Sequence, residues 1–141
     1  MRTMLKIKRT SFITRLIVVG SVLFMCIAFV QQVGVWKAPE SAKQKKNPVA
    51  SDEASIAAGK KMYEKECFSC HGKKGRGDGP NSATLEKPPG DLPSSKVQSQ
   101  TDGELFWKIT EGRKPMPSAK LILTDEQRWQ VVNYVRVLGK K

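Results

Sequence analysis

Histidine is almost missing from this chain: His71 is the only one in 141 residues. That excludes a centre ligated by two of the chain's own imidazoles, and it leaves no second histidine for acid–base chemistry. Cysteine is scarce too, with three in all. Cys26 falls in an apolar run, so only Cys67, Cys70 and His71 remain, one short of the four ligands a structural zinc site takes. No stretch alternates apolar and polar residues convincingly, so no strand is expected. No internal repeat is visible. Acids are few, 13 Asp and Glu against 25 Lys and Arg, for a net charge of +12. The excess is uneven. Residues 1–50 hold nine basic groups and one acid, while residues 51–141 hold sixteen and twelve. A nucleic-acid-binding domain carries its excess on the folded part, so no nucleic-acid partner is expected.

Long apolar runs are equally rare. The one candidate, Leu16–Val30, has fifteen residues and follows Arg2, Lys6, Lys8, Arg9 and Arg15. A spanning helix needs about 20. Continuing past Gln31 and Gln32 to Trp36 gives 21 residues, with the indole at the far interface. The small residues that cleavage requires occur only at Cys26-Ile27-Ala28, inside the run, and bulky Met25 departs from a lipoprotein box. Residues 1–36 are therefore expected to be a retained signal-anchor or transmembrane segment, meeting the membrane through 16–36. A cleaved signal and a soluble periplasmic product form the alternative. Either route puts residues 51–141 on the extracytoplasmic, periplasmic side. Residues 37–50, KAPESAKQKKNPVA, are polar, with two prolines and no apolar period, and are expected to be a flexible linker.

The remainder, 51–141, divides into helix, long loop, helix, loop, helix. The first helix begins near Ser51, with Asp52 and Glu53 in its first turn, and runs to about Cys67. Ile56, Gly59, Tyr63 and Cys67 share one of its faces. Residues 71–100 are rich in glycine and proline and are expected to be loop. Thr101 with Glu104, and Thr124 with Gln127, form capping boxes that open the second and third helices. Gly112 and Gly139 end them. Leu105, Phe106 and Ile109 make the apolar side of the second helix; Val131, Tyr134, Val135 and Leu138 make that of the third. Trp107 and Trp129 are expected to pack beside these faces. Three short helices and a thirty-residue loop bury little unless something organises the loop, and a large apolar cofactor would do so.

The five residues CFSCH, Cys67–His71, offer three chemistries: a redox disulfide, part of a zinc site, or covalent attachment of haem. A thioredoxin-like motif needs a βαβ context, and here the pair follows a helix and enters a glycine-rich loop. Zinc would need a carboxylate to complete its ligands. C-x-x-C-H is the signature of c-type haem attachment. Cys67 and Cys70, one helical turn apart, can reach two vinyl groups of one porphyrin, and His71 can then bind the iron. The haem reading also supplies the missing core, and one covalent haem c is the cofactor expected. For the sixth iron ligand, Met62 lies on the helix that delivers the proximal side and is expected to pack. Met116 lies in a loop, GRKPMPSAK, between Pro115 and Pro117, which bar a helix, and it is the candidate axial thioether. His/Met ligation raises the haem potential and closes the iron to small molecules, which suits one-electron transfer.

On CFSCHG, GRGDGP, PMP and the two terminal helices, residues 52–139 resemble the small class I cytochromes c. The loops GDGP and KPPGDL are similar to those of bacterial membrane-associated members. The resemblance implies an all-α fold of three main helices and long loops around one haem. Gly59 and Tyr63 would meet Val131, Tyr134 and Val135 where the terminal helices cross. It also implies that the Pro80 carbonyl accepts a hydrogen bond from His71, setting its tautomer; turn chemistry alone is the plainer role for Pro80. Lys73, Lys74, Arg76, Arg113, Lys114 and Lys120 are candidates to rim the haem edge and steer an acidic redox partner, or are ordinary solvated charges. The expected function is electron carriage between membrane-associated respiratory or dehydrogenase partners, not enzymatic turnover. Two alternatives remain: a haem subunit of a larger oxidoreductase, and an open-site haem peroxidase or sensor.

Overall fold

The computed structural model describes residues 36–140. The expected anchor, 1–36, therefore lies outside the described residues except for Trp36. No helix among the described residues is long and apolar enough to cross a membrane. In chain order the helices are α1 (Glu40–Lys43), α2 (Glu53–Glu66), α3 (Phe68–His71), α4 (Ser95–Gln98), α5 (Asp102–Glu111) and α6 (Asp125–Leu138), with a 3-10 turn at Ser82–Thr84. Among the described residues the only β feature is one isolated bridge between Arg113 and Met116.

The three long helices start where their caps dictate. Asp52, rather than Ser51, caps α2: its carboxylate accepts from Ser55 N at 2.8 Å. Both expected capping boxes form, Thr101 with Glu104 and Thr124 with Gln127. Each satisfies two backbone groups that a helix start leaves without partners. Gly112 ends α5 at φ +66°, and Gly139 ends α6 in an ordinary right-handed conformation.

Helices α2 and α6 cross in direct backbone contact. A Cβ on Gly59 would lie 1.9 Å from the Gln130 carbonyl oxygen. No side chain fits there, so glycine sets the helix separation. Tyr63 is 1% exposed and packs with Tyr134, ring centroids 5.2 Å apart and tilted by 58°. Leu138 completes that cluster, with Cys67 and Leu92 against it. The larger cluster joins α5 to α6: Leu105, Phe106, Leu123, Trp129, Val131, Val132 and Val135. Phe106 stacks on Trp129 at 3.9 Å. Trp129 is thus core, as expected, while Trp107 is half-buried.

Residues 37–50 depart from the expected flexible linker. The compact unit begins at Lys37. Ala42 is buried over Gly103, where a Cβ would come within 2.0 Å of the Ala42 carbonyl. Lys45 places its ammonium 4.5 Å from the Phe106 ring centre, a cation–π contact. The Asn133 amide, on α6, donates to Ala50 O at 3.1 Å and to Ser55 Oγ at 2.7 Å, and its oxygen accepts from Asn47 at 2.7 Å. Ala42, Val49, the Lys45 ammonium, the Asn47 amide and backbone carbonyls do the docking, and two isolated small apolar residues do not mark a segment as apolar. A hydropathy pattern cannot reveal it.

Candidate functional site

Helix α2 hands the chain directly to the CFSCH turn. Cys67 is at once the C-cap of α2 and the N-cap of α3. Its carbonyl accepts from Cys70 N at 3.2 Å and His71 N at 2.9 Å. Both cysteines and the histidine thus share one turn. The two thiols are half-buried and form no disulfide. Burial, followed by the Glu66 carboxylate and Cys70, pushes the Cys67 thiol up to about 12. A redox nucleophile needs the opposite, a thiol lowered into the neutral range, and the surroundings of Cys67 work against that.

His71 is held neutral. Burial lowers its pKa, with the backbone of Gly90 working against the shift. Its Nδ1 is buried and has no hydrogen-bond partner of normal geometry. A neutral imidazole is the form that binds metal, and an unpaired buried nitrogen costs free energy unless something answers it. Both thiols and the imidazole therefore fit a group that bonds covalently to sulfur and coordinates through nitrogen. Among the described residues, no three of His, Cys, Asp and Glu converge as a metal-holding cluster.

The glycine-rich loop folds back along α3. Gly77 N donates to His71 O at 2.9 Å, Gly79 N to Cys70 O at 3.1 Å, and Asn81 N to Ser69 O at 2.8 Å. Gly72 turns the chain at φ +77°, and its carbonyl accepts from the Tyr63 hydroxyl at 2.8 Å. Pro80 sits between Gly79 and Asn81, so its backbone runs beside the CFSCH turn. It is exposed, and the bond expected from His71 Nδ1 to its carbonyl is not formed. The backbone group acting on the imidazole is that of Gly90, from the KPPGDL segment. That pairing could not be read from the sequence, because it depends on how the second loop packs on the first.

Met116 lies in the loop between α5 and α6. Its N–H and C=O both pair with Arg113, at 2.8 and 2.9 Å, and the Lys114–Pro115 bond is cis. The side chain is half-buried and belongs to neither core cluster. Met62, by contrast, packs against the larger cluster, which is its expected role. Lys73, Lys74, Arg76, Arg113, Lys114 and Lys120 are all exposed. Close to Lys120, Leu121 is 97% exposed and Ile122 54%, an apolar pair that sequence reading passed over. A cleft of about 270 Å³ beside α3 is lined by Tyr63, Glu64, Phe68 and Lys73.

Residues 54–135 match the family described as cytochrome c oxidase, cbb3-type, subunit III. The chain belongs to the class I cytochrome c family. Two solved structures are similar to this cytochrome. One is a chain of a reducing HAO-like protein complex from Kuenenia stuttgartiensis, at 36% identity and a TM-score of 0.60. The match covers 64% of this cytochrome and 46% of that chain, so the cytochrome spans less than half of its neighbour. The other is KustC0563, a c-type cytochrome, at 27% identity and a TM-score of 0.50, covering 57% of this chain and 95% of that one. No curated protein matches the cytochrome significantly. Family and neighbours together show covalently bound haem c as its cofactor.

Proposed function

We propose that Cys67 and Cys70 hold a single haem through two thioether bonds, with His71 and Met116 as axial ligands. The protein then acts as a one-electron carrier. When bound, the haem supplies the Fe(III)/Fe(II) couple; the chain's own residues hold it, exclude water and set its potential. The observation that carries this reading is the CFSCH turn itself. Two unpaired thiols and a neutral imidazole with an unanswered Nδ1 lie on one helical turn. Pro80, whose backbone runs beside that turn, would supply the carbonyl that Nδ1 reaches if the ring bound the metal. Met116 supports the sixth-ligand role: it is a half-buried thioether outside the core, in a turn closed on both sides by backbone bonds to Arg113. Such ligation favours carriage of electrons over chemistry at an open iron.

The proposed setting is the extracytoplasmic face of a membrane, with residues 16–36 as anchor and respiratory or dehydrogenase proteins as donor and acceptor. Exposed Lys114 and Lys120 beside Leu121 and Ile122 fit an acidic partner with an apolar contact at its centre. A second reading, a haem subunit of a larger oxidoreductase, is favoured by two findings. The matched family is described as an oxidase subunit, and the first neighbour is part of a complex of two proteins. Co-purification at physiological salt separates carrier from subunit.

The test is an optical spectrum of purified protein, oxidised and reduced, with carbon monoxide added to the reduced form. A six-coordinate His/Met centre binds the gas slowly and weakly. Rapid stoichiometric binding by the parent protein identifies an open-site haem instead and removes Met116 from the ligand set.

A further inference from the structure

Residues 37–50 carry four lysines against one acid, Glu40. As a free tether they would span about 20 Å. Instead the segment is docked along its length. Ala42 is buried on Gly103, and a Cβ on Gly103 would also lie 2.5 Å from the Lys45 carbonyl. The Lys45 ammonium rests on the Phe106 ring, the Asn47 amide donates to Asn133 at 2.7 Å, and Val49 packs on the larger core cluster. One side of this strap is thereby committed to α5 and α6.

The other side faces solvent and is basic. Lys37, Lys43 and Lys46 are exposed. Glu40 shares one exposed ion pair with Lys43 at 3.7 Å, which leaves the strap net positive. The compact unit starts at Lys37, so this basic band follows directly on residues 16–36, the expected membrane segment. Lysines beside a membrane segment attract anionic headgroups, and the attraction fades as salt rises. A strap already held in place makes those contacts without the ordering cost that a flexible tether meets on binding.

We propose that the outer side of residues 37–46 is a lipid-docking surface, seated on the anionic headgroups of the membrane that holds the anchor. The proposal rests on the reading of residues 16–36 as a membrane segment. It also defines the kind of partner. Lys120, on the face fitted to an acidic protein, lines a cleft of about 380 Å³ together with Pro39, Ser41 and Lys45. That face adjoins the strap, so an acidic protein that reaches it stands at the lipid surface too. A partner itself held at the membrane meets that condition; one diffusing in bulk solution does not.

The test places the full-length holoprotein in vesicles of phosphatidylcholine, with and without phosphatidylglycerol. Lysine acetylation is mapped by mass spectrometry, and amide exchange over residues 37–46 is followed on the same samples. Lys65 is the internal reference: it is exposed and lies about 15 Å along α2 from Ser55, beyond the screening length. On the anionic vesicles Lys37, Lys43 and Lys46 are expected to react about threefold more slowly, and high salt restores their rate. Lys65 reacts equally on both. Amide exchange in the strap slows on the anionic vesicles, and the triple variant Lys37→Glu, Lys43→Glu, Lys46→Glu abolishes that slowing. The proposal is overturned if the three lysines react equally on both vesicles, if Lys65 is protected as much, or if the triple variant keeps the slowed exchange. Protection that grows with protein concentration at fixed lipid also overturns it, because the occupant is then a second copy of the chain. The anchor is judged separately. A chain that leaves the neutral vesicles refutes residues 16–36 as a membrane segment; salt-sensitive binding to the anionic vesicles then still upholds the strap, and its absence overturns that as well.

Discussion

The α2–α6 crossing and the loops that bear the site are built from different materials. At the crossing, apolar and aromatic side chains interlock at backbone contact: Gly59 on Gln130, Tyr63 on Tyr134, with Val131, Val132 and Val135 4% exposed or less. In the loops, order comes from backbone bonds and a few polar side chains: Gly77 to His71, Gly79 to Cys70, Arg113 to Met116, Gln98 to Leu92. Large apolar groups there even face solvent, Leu121 being 97% exposed. Packing is nondirectional and cooperative, so the frame resists small changes but not a change of volume. Hydrogen-bonded loops tolerate volume and fail when one donor or carbonyl loses its partner. The frame fixes where α3 starts, and the loops tune what its residues meet.

Substitutions at the site and in the frame should therefore separate cleanly. The largest effect is expected for Cys67→Ala combined with Cys70→Ala: no covalent haem remains on a denaturing gel, whatever haem the pocket holds by ligation alone. Haem retained through denaturation in that variant breaks the assignment. Next comes Gly59→Leu. A side chain forced against the Gln130 carbonyl should cost about 3 kcal/mol or more, and thermal unfolding should fall by about 10 °C or more. An unchanged Tm would mean that the helices do not cross in contact. Met116→Ala should leave Tm and haem attachment nearly intact. It should lower the potential by on the order of a tenth of a volt, a fraction of the ~0.8 V that axial ligands span, and admit carbon monoxide.

Tyr63→Phe joins the two regions, since the ring belongs to the frame and the hydroxyl holds the Gly72 carbonyl. Losing one buried bond should cost about 1–2 kcal/mol in denaturant unfolding, with the spectrum unchanged; a larger loss would place Tyr63 inside the site. The smallest effect is expected for Lys114→Glu with Lys120→Glu. Reduction by an acidic partner should slow severalfold at low salt and converge with the parent at high salt. Equal rates at all ionic strengths would remove the basic rim from the docking surface.

Much of the frame was legible because its signals are local. Thr101 with Glu104, Thr124 with Gln127, and Gly112 each act within one turn, and all lie where the sequence places them. CFSCH was legible for the same reason, since its three functional groups share five residues. The strap over residues 37–50 was not. Its anchors, Asn133, Gly103 and Phe106, lie more than fifty residues away, and its own composition is that of a tether. The surroundings of His71 were also hidden: the motif points to Pro80, whereas the group acting on the ring is the backbone of Gly90. A backbone neighbour supplied by a distant loop leaves no residue-type signature.

The sequence by itself determined the three long helices, their ends and the family to which the chain belongs, because each depends on residues within a few positions of one another. Only the tertiary structure decided which carbonyls close around the CFSCH turn, that residues 37–50 join the domain, and how near α2 and α6 approach. Those outcomes depend on shape and on hydrogen-bonding groups that every residue carries, brought together by packing across the whole chain.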